Sequence, residues 1–545
     1  MNDRSGKIIK ISGIVLFLLG AACVFYFIWS PLFTAEFQSD TAEMLMWAQQ
    51  ILEKHTLISP DFSYSYTIPF GGQLILVPFV KILADRGRGL SLLPLRLGMS
   101  VIALIFLAAI FLFFRELFGK DHAFASSGVL VLFFCGVRSL RELFWAHMVF
   151  YSLSVLYFLV ITVLMKKIVS ETRTGGAAKW RVVFCLLLTA LACTSGAPLL
   201  IYFAVPFLCS MIVCFLRDRV SLRDREREDA RSGVLLIVSM ALSMAAGFAV
   251  SKLFHGDPLD NYTDYYTVLS ASGQWAENLS RFPMRWIGLF TELSEETIPV
   301  LSTQGIRTGL LIVTALTVLG LDLAAMFCLK DLRPLERFVV IYHWVLSLII
   351  LFFFWFGTIS NYERRLIPVF VTGIISALIM IRHLLQNADP LRKVRGGLAG
   401  LLVCAAAVIA GISVFLIVPD NSFWYAEDSV MQTLLRNDLT YGYSTDFWFA
   451  NGITVMTGEK VRVREVGFTD EGKLIQKKNQ TDVNWYRDVP GQEKYFLICQ
   501  EWFVSDFPEY LENAEEVHHC ELTHPVSGKY MGYYILVYDH NLIGE

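Results

Sequence analysis

Charged residues are scarce in this chain of 545 residues, where Asp, Glu, Lys and Arg together make up 17% of the sequence. A soluble domain usually carries about a quarter charged residues, so the composition excludes a water-soluble enzyme of this size and a disordered chain. It also excludes a nucleic-acid-binding protein with a basic face. The 55% of hydrophobic residues, with 42 Phe, 21 Tyr and 12 Trp, indicate many helices in lipid with aromatic anchors at the interfaces.

Motifs that would identify a reaction directly are missing. The sequence has no Gly-rich phosphate loop, no Ser nucleophile elbow and no His-Glu-x-x-His motif. His518, His519, Cys520 and His524 lie close together in the sequence, but their spacing matches no zinc pattern. The sequence therefore assigns no metal ligands and leaves a divalent metal requirement open.

The charge is divided unevenly along the chain. Residues 420–545 carry ten Lys and Arg against 21 Asp and Glu, a net charge of −11, whereas residues 1–419 have a net charge of +8. This predicts a cationic transmembrane domain at 1–419 and an acidic extracytoplasmic domain at 420–545. An acidic surface repels polyanions, so nucleic acid is not an expected partner. Extracytoplasmic placement permits a disulfide between Cys499 and Cys520 without requiring one.

Eleven apolar segments are long enough to suggest a membrane crossing. A single kinked helix around Gly196 is the alternative for two of them, and it would invert the topology of everything that follows. The segments lie at 11–30, 92–114, 122–138, 148–166, 181–195, 197–216, 233–254, 306–328, 338–356, 366–383 and 397–418.

Basic residues between these segments predict the orientation in the cell membrane. Six Arg in the run 217–231 mark a cytoplasmic loop, because basic residues stay on the cytoplasmic side. With eleven segments, every basic loop and the N-terminus are then cytoplasmic. The longer stretches at 31–91, 255–305 and 420–545 are extracytoplasmic, and we expect the chemistry on that face.

The outer stretches have recognisable secondary-structure patterns. Residues 41–54 and 276–290 have apolar and polar faces typical of helices at a membrane interface. In the last 126 residues, VRVREV, EKYFLICQ and YYILVYD predict strands, whereas SVMQTLLRN and LENAEEVHH predict helices. The tail is therefore predicted to be a small α/β domain.

Asp40 follows the first apolar segment, in the stretch AEFQSDTAEML. One interpretation is structural: Asp40 caps the helix at 41–54, and Glu43 completes a pattern that resembles a capping box. The other is functional, because a carboxylate fixed beside a membrane cavity can accept a proton from an attacking hydroxyl. The two interpretations are compatible.

Charged residues also cluster at the outer junction of the third and fourth segments. The stretch RSLRELFWAHMVF contains Arg141, Glu142 and His147 with little loop to solvate them, and charges at that depth need partners. They form either an ion pair of Arg141 with Glu142 or Asp40, or a polar wall around an anionic head group or a metal.

Arg364 and Arg365 precede the tenth segment, in SNYERRLIPVF, on the predicted outer side. Their planar guanidinium groups suit a phosphate because each binds two oxygens. Pairing with Glu363 or with lipid phosphate is the alternative.

Four stretches carry a family resemblance. SDTAEMLMWAQQIL has an acidic residue after the first span, and LPLRLGMSVIALIFLAAIFLFFRELFG has an "RL" start and an "LFG" turn. SNYERRLIPVF is similar to an "RYLLP" motif, with Arg364 on the Arg and Arg365 in place of the Tyr. YGYSTDFWFANGITVMTGEKVRVREV, with YYILVYDHNL, is similar to an extracytoplasmic tail of some members. The chain thus resembles the glycosyltransferase C superfamily, especially bacterial relatives of the dolichyl-phosphate-mannose and undecaprenyl-phosphate-aminoarabinose transferases.

This resemblance implies a polytopic α-helical membrane glycosyltransferase with an extracytoplasmic α/β domain. The enzyme would move a sugar, with inversion, from a polyprenyl-phosphate donor to a hydroxyl of an acceptor that is a glycan, lipid, polymer or protein. A single Asp40 replaces the acidic pairs of several subfamilies, which leaves the metal requirement open. The implied roles are general base for Asp40, donor-phosphate binding for Arg364, Arg365 and Arg141, and positioning for Glu43, Glu142 and His147.

Two other classes of membrane protein compete with this one. A transporter or lipid flippase would have ionisable residues near mid-span, where the sequence shows Asp322 and little else; we expect Asp322 to be satisfied near the inner surface. A ligase or polymerase of lipid-linked glycans would also use outer arginines, but its large outer segment is expected between late spans.

Overall fold

The computed structural model describes residues 3–173, 179–221, 227–254, 268–293, 297–523 and 528–543. The predicted basic run 217–231 and outer stretch 255–305 fall partly outside these ranges, and His524 lies outside them. The described chain packs into two compact units. One contains 3–26, 103–254 and 268–416, and the other contains 27–102 and 417–543.

Helices make up most of the chain. In chain order they are α1 (Asp3–Trp29), α2 (Pro31–Ala35), α3 (Ser39–Lys54), α4 (Gln73–Ala84), α5 (Leu92–Phe118), α6 (Lys120–Phe134), α7 (Arg138–Arg141), α8 (Phe150–Arg173), α9 (Lys179–Cys193), α10 (Ala197–Leu199), α11 (Val205–Ser221), α12 (Arg227–Phe254), α13 (Trp275–Gly288), α14 (Thr303–Phe327), α15 (Pro334–Phe356), α16 (Ile367–Gln386), α17 (Pro390–Ile412), α18 (Ser422–Tyr425), α19 (Val430–Arg436), α20 (Ala450–Met456), α21 (Glu501–Asp506) and α22 (Glu509–Glu512).

Nine helices within the described ranges are long and apolar enough to cross a membrane, which makes the chain a multi-pass membrane protein. A tenth candidate is α6 together with 138–146, which is bent by 111° at its break. These ten match ten of the eleven predicted segments. The count of eleven is not confirmed, because α9, at the predicted segment 181–195, has only 15 residues. Its length of about 23 Å is less than the apolar thickness of about 30 Å.

The predicted break at Gly196 is present. Helix α9 ends at Cys193 and α10 begins at Ala197. Gly196 lies between them with a φ of 74°, a conformation that glycine adopts without steric cost. The two segments are therefore separate helices rather than one kinked helix.

In the first unit, α14, α15 and α17 each pack against α16. Helix α16 is the most enclosed of the candidate spans, because 89% of its most apolar window is buried. A 3₁₀ turn at Glu363–Leu366 leads directly into this helix. The turn with Arg364 and Arg365 is thus anchored to the centre of the unit.

The second unit contains a sheet of six strands in the order β4-β3-β2-β6-β8-β7. Strands β2, β3 and β6 are parallel, α20 connects β2 to β3, and the other three strands are antiparallel to their neighbours. This confirms the predicted α/β architecture. The strands are β1 (Phe62–Ser63), β2 (Tyr441–Ser444), β3 (Arg462–Phe468), β4 (Leu474–Gln476), β5 (Thr481–Asp482), β6 (Tyr495–Gln500), β7 (Glu516–Thr523) and β8 (Tyr530–Tyr538).

One predicted element of the tail is wrong. The stretch LENAEEVHH, predicted as a helix, instead forms the end of α22 and the beginning of β7. Burial in β7 alternates, with Cys520 and Leu522 buried and their neighbours exposed. This period of two suits a strand, and antiparallel pairing with β8 fixes it.

A disulfide between Cys499 and Cys520 does not form. Both cysteines are free and buried. Cys499 lies on β6 and Cys520 on β7, with β8 between them. Two strand spacings separate the cysteines by about 10 Å, more than the 7 Å or so that a disulfide tolerates between Cα atoms.

Candidate functional site

Asp40 lies inside helix α3 rather than at its cap. The helix begins at Ser39, and the N-cap residue is Gln38, whose extended backbone has a φ of −155°. Asp40 is therefore in the first turn of the helix and half-buried. Asp40 is therefore not the N-cap residue of α3, which corrects the capping interpretation.

The side chain of Gln480 reaches Asp40 from the tail. The Nε2 atom of Gln480 lies 3.5 Å from Oδ1 of Asp40. Gln480 is fully buried, and its backbone carbonyl accepts a hydrogen bond of 3.0 Å from Nδ2 of Asn451. Next to it, β5 pairs with β1 through Phe62 and Ser63. The backbone of Gln480 is therefore held in place by its contact with Asn451 and by the neighbouring strand pair.

The start of α3 is also fixed by the loop that follows β2. Ser39 Oγ donates to the carbonyl of Phe447 at 2.7 Å and accepts from the backbone N–H of Gly452 at 3.2 Å. Asp446, in the same loop, accepts hydrogen bonds of 2.8 Å each from Tyr533 Oη and Gln500 Nε2. Because Ser39 directly precedes Asp40, the α/β domain determines where this carboxylate lies.

Glu43 is a buried neutral neighbour of Asp40. Its side chain is 1% exposed, and its Oε1 accepts a hydrogen bond of 2.9 Å from the backbone N–H of Ser65. Burial, with a smaller contribution from the charge of Asp40, raises the pKa of Glu43 to about 8. Glu43 is thus mostly protonated at neutral pH and can hold a proton one helical turn from Asp40.

In the first unit, Arg364 and Arg365 lie in the 3₁₀ turn before α16. Arg365 is buried, and its Cζ lies 5.9 Å from the ring centroid of Tyr151. The ring of Tyr202 is within electrostatic range of both guanidinium groups and packs edge-on against Tyr151 at 5.2 Å. Two cations beside aromatic rings suit an anion with an apolar tail.

Glu363, the acidic neighbour of these arginines, is engaged elsewhere. Its Oε2 accepts a hydrogen bond of 3.3 Å from Nη1 of Arg285 on α13. Arg364 stacks over the ring of Tyr362 with its Cζ 4.9 Å from the centroid. Glu363 thus forms its ion pair with Arg285 of α13.

Arg141 occupies a structural position at the bend after α6. Its Nη1 donates to the carbonyls of Cys135 and Gly136 at 3.3 and 3.1 Å, and its Nη2 lies 3.3 Å from Glu292 Oε1. The guanidinium group is 1% exposed. Arg141 thus satisfies carbonyl groups at the end of α6, in addition to pairing with Glu292.

Glu142 and His147, the two residues of this unit with a predicted positioning role, lie next to the same bend. The backbone N–H of His147 donates to the carbonyl of Glu142 at 2.6 Å. Glu142 is half-buried and His147 is buried. Burial, with a contribution from the charge of Arg364, lowers the pKa of His147 to about 3. A neutral imidazole is therefore placed within electrostatic range of Arg364.

Asp322, which the sequence analysis expected to be satisfied near the inner surface, lies buried on α14. It is 1% exposed, and its carboxyl group faces the hydroxyl of Ser376. Its Oδ2 lies 3.6 Å from Nε2 of His343 on α15.

In the described part of the chain, no three His, Cys, Asp or Glu side chains are grouped so as to hold a metal ion. Asp40 and Glu43 supply two carboxyl groups on one helix, and Glu43 is mostly protonated. The divalent metal that the sequence left open is therefore not assigned to these two side chains.

The sequence had no signal for Gln480, because its contact with Asp40 joins residues 440 positions apart. Tyr151 lies beside the charged stretch that ends at His147, and an aromatic residue next to buried arginines is a usable signal. Tyr202 could be placed there only with the packing of α8 known.

Comparison with known proteins establishes the fold. No family model and no curated protein sequence matches the chain. Over 98% of its length, and 99% of the neighbour's, the chain is similar to the crystal structure of ArnT from Cupriavidus metallidurans bound to undecaprenyl phosphate, with a TM-score of 0.52 and 12% identity. Over 89% of its length it is similar to the oligosaccharyltransferase of Archaeoglobus fulgidus in complex with Zn and sulfate, of which it covers 68%, with a TM-score of 0.51 and 12% identity. The chain therefore shares the fold of these two structures.

Proposed function

We propose that this protein is a membrane glycosyltransferase that moves a sugar from a polyprenyl-phosphate donor to an acceptor hydroxyl on the extracytoplasmic face. The observation that carries the proposal is the match, along nearly the whole of both chains, to a structure bound to undecaprenyl phosphate. The placement of Asp40 and of the arginine pair supports it independently, because each matches a chemical requirement of the reaction.

Asp40 is the proposed general base. Its carboxylate takes the proton of the acceptor hydroxyl while the hydroxyl oxygen forms a bond to the anomeric carbon of the sugar. The bond between that carbon and the phosphate oxygen breaks in the same step, which inverts the sugar carbon. Gln480 and the buried Ser39 contacts hold the carboxylate in a fixed position, which lowers the entropic cost of the reaction.

Arg364 and Arg365 are the proposed ligands of the donor phosphate. The phosphate gains negative charge as the sugar leaves, and a charge-assisted donor placed there typically contributes about 10²–10³ in rate. Arg141 is the third candidate, although three of its contacts are structural. Glu142 and the neutral His147 would position the donor beside Arg364.

Glu43 and the α/β domain complete the proposal. Glu43, protonated at neutral pH, positions Asp40 without competing for the acceptor proton. The domain, whose loop 445–449 fixes the start of α3, would admit and shape the acceptor. A dependence on a divalent metal would appear as loss of transfer with EDTA and recovery with Mg²⁺ or Mn²⁺.

The test is release of undecaprenyl phosphate from undecaprenyl-phosphate-linked sugars by purified protein in lipid nanodiscs. A panel of hexose and pentose donors is incubated with membrane glycan, lipid and protein extracts as acceptors. We expect release with at least one donor, and only when an acceptor extract is present. Absence of release with every donor, in protein that still binds undecaprenyl phosphate, would contradict the transferase assignment.

A transporter or lipid flippase is the second candidate function, and Asp322 beside His343 favours it, since ionisable residues inside spans often mark transport pathways. The same protein reconstituted into sealed lipid vesicles separates the two functions. A flippase would move fluorescent undecaprenyl phosphate across vesicle membranes with no change in its covalent structure, whereas the proposed transferase changes the donor.

A further inference from the structure

A carboxyl group and an imidazole face each other where three spanning helices meet. Asp322 on α14 and His343 on α15 are 1% and 3% exposed, and both pack beside α16 at Gly373. A side chain at position 373 would place its Cβ 3.0 Å from Asp322 Oδ2 and 3.3 Å from His343 Cε1. The glycine therefore leaves the space that the carboxyl group occupies.

The hydrogen bonds of Thr372 determine which nitrogen of His343 carries a proton. Thr372 Oγ1 lies 2.9 and 3.2 Å from the carbonyls of Pro368 and Val369. Carbonyl oxygens only accept, so the hydroxyl proton of Thr372 is used there. We therefore assign His343 Nδ1 as the donor to Thr372 Oγ1, at a distance of 2.9 Å. A neutral imidazole has one N–H, which leaves the lone pair of Nε2 facing Asp322.

With this tautomer, no proton lies between Asp322 and His343. Asp322 Oδ2 and His343 Nε2 are 3.6 Å apart, and without a further proton both atoms are acceptors that repel each other. The contacts of Asp322 within the described chain are otherwise uncharged: Ser376 and the space left by Gly373, with Trp344 Nε1 on its backbone carbonyl. None of these described contacts is a cation that would compensate an ionised carboxylate, and burying an uncompensated charge is strongly unfavourable.

We propose that Asp322 and His343 form a proton-binding site buried among α14, α15 and α16. The bound proton resides on the carboxyl group of Asp322 and points to the lone pair of His343 Nε2. The neutral pair is favoured over an ion pair because an ion pair would place two charges in a buried site, where charges are poorly solvated. This inference does not rest on the proposed transferase activity.

Infrared spectroscopy of the full-length protein in nanodiscs tests the site, because a protonated carboxyl group has a carbonyl stretch above the amide I band. We expect this band at neutral pH in the unmodified protein and its loss in Asp322→Asn. His343→Leu removes the acceptor, so the band should move to higher frequency. Gly373→Ala crowds Oδ2 and should also shift it, whereas Ser347→Ala, a buried control on α15, should leave it unchanged.

Two outcomes would overturn the proposal. One is a spectrum in which no carbonyl band responds to Asp322→Asn. The other is a band that disappears when choline chloride is replaced by NaCl, since that would identify a sodium site rather than a proton site.

Nitrogen NMR of ¹⁵N-histidine-labelled protein is a second test, and it needs no Asp322 variant. We expect a neutral Nδ1–H signal that is lost in His343→Leu, and an imidazolium signal for this residue would contradict the assignment.

Discussion

The side-chain amide of Gln480 lies 3.5 Å from a carboxylate oxygen of Asp40, although the two residues are 440 positions apart. Catalytic hydrogen bonds are often long before substrate binds. We expect Gln480→Ala to lower sugar transfer, because the carboxylate loses a donor that fixes its orientation. The loss of about 0.5–1.5 kcal/mol corresponds to a rate reduction of about two- to tenfold.

The control for this experiment is Gln476→Ala, which removes the same amide from an exposed position on β4. Transfer by this control should equal that of the unmodified protein. Equal rates of sugar transfer by Gln480→Ala and Gln476→Ala, with both variants folded, would contradict the role of Gln480 in orienting Asp40.

The raised pKa of Glu43 should make the stability of the protein depend on pH. Its folded pKa of about 8 lies above the ordinary value of 4.5, so the folded state holds a proton that the unfolded state has released. The free energy of unfolding should therefore decrease as the pH rises from about 4.5 to about 8. Thermal unfolding followed by fluorescence across this range measures the effect.

Glu43→Gln keeps the shape of the side chain but removes its titration. The difference in stability between this variant and the unmodified protein should grow with pH, in favour of the variant. A difference that stays constant between pH 4.5 and 8 would show that Glu43 does not hold its proton.

Removal of both arginines should weaken binding of the lipid phosphate. Arg364→Ala with Arg365→Ala should raise the donor concentration needed for half-maximal transfer and lower the maximal rate, by about 10²-fold or more in kcat/KM. Binding of radiolabelled undecaprenyl phosphate should weaken in parallel. Arg395→Ala, an exposed arginine on α17, is the matched loss of charge; if it weakens binding equally, the pair has no specific role.

Replacement of Arg141 should have a different effect from replacement of the arginine pair. Because it donates to the carbonyls of Cys135 and Gly136, Arg141→Ala should destabilise the protein by about 2–4 kcal/mol. Arg392→Ala, on the exposed surface of α17, should not. A variant of normal stability that fails to bind undecaprenyl phosphate would instead make Arg141 a phosphate ligand.

The fold was largely predictable because its signals are local. Eleven spans were predicted from the length of apolar segments, and ten of them match candidate spans in the structure. The alternation of apolar and polar residues predicted strands β3, β6 and β8. The helix predicted at LENAEEVHH failed because its many Glu residues favour a helix, whereas pairing with β8 decides the outcome. Tertiary pairing of this kind overrides local propensity.

The candidate site was predictable only in part. Asp40, Arg364 and Arg365 stand out because charges beside apolar segments are costly. Their surroundings come from other parts of the chain: Gln480 reaches α3 through the pairing of β1 with β5, and Tyr202 reaches Arg365 through the packing of α8. Likewise, Asp322 was visible in the sequence, but its partner His343 depends on how α14 and α15 pack.

The most direct measurement of the central claim is sugar transfer by Asp40→Asn, compared with its binding of undecaprenyl phosphate. The substitution keeps the shape of the side chain and removes its ability to accept a proton. The account predicts that transfer falls by about 10²-fold or more, while lipid binding and thermal stability stay close to those of the unmodified protein. Transfer at the unmodified rate would contradict the role of Asp40 as general base.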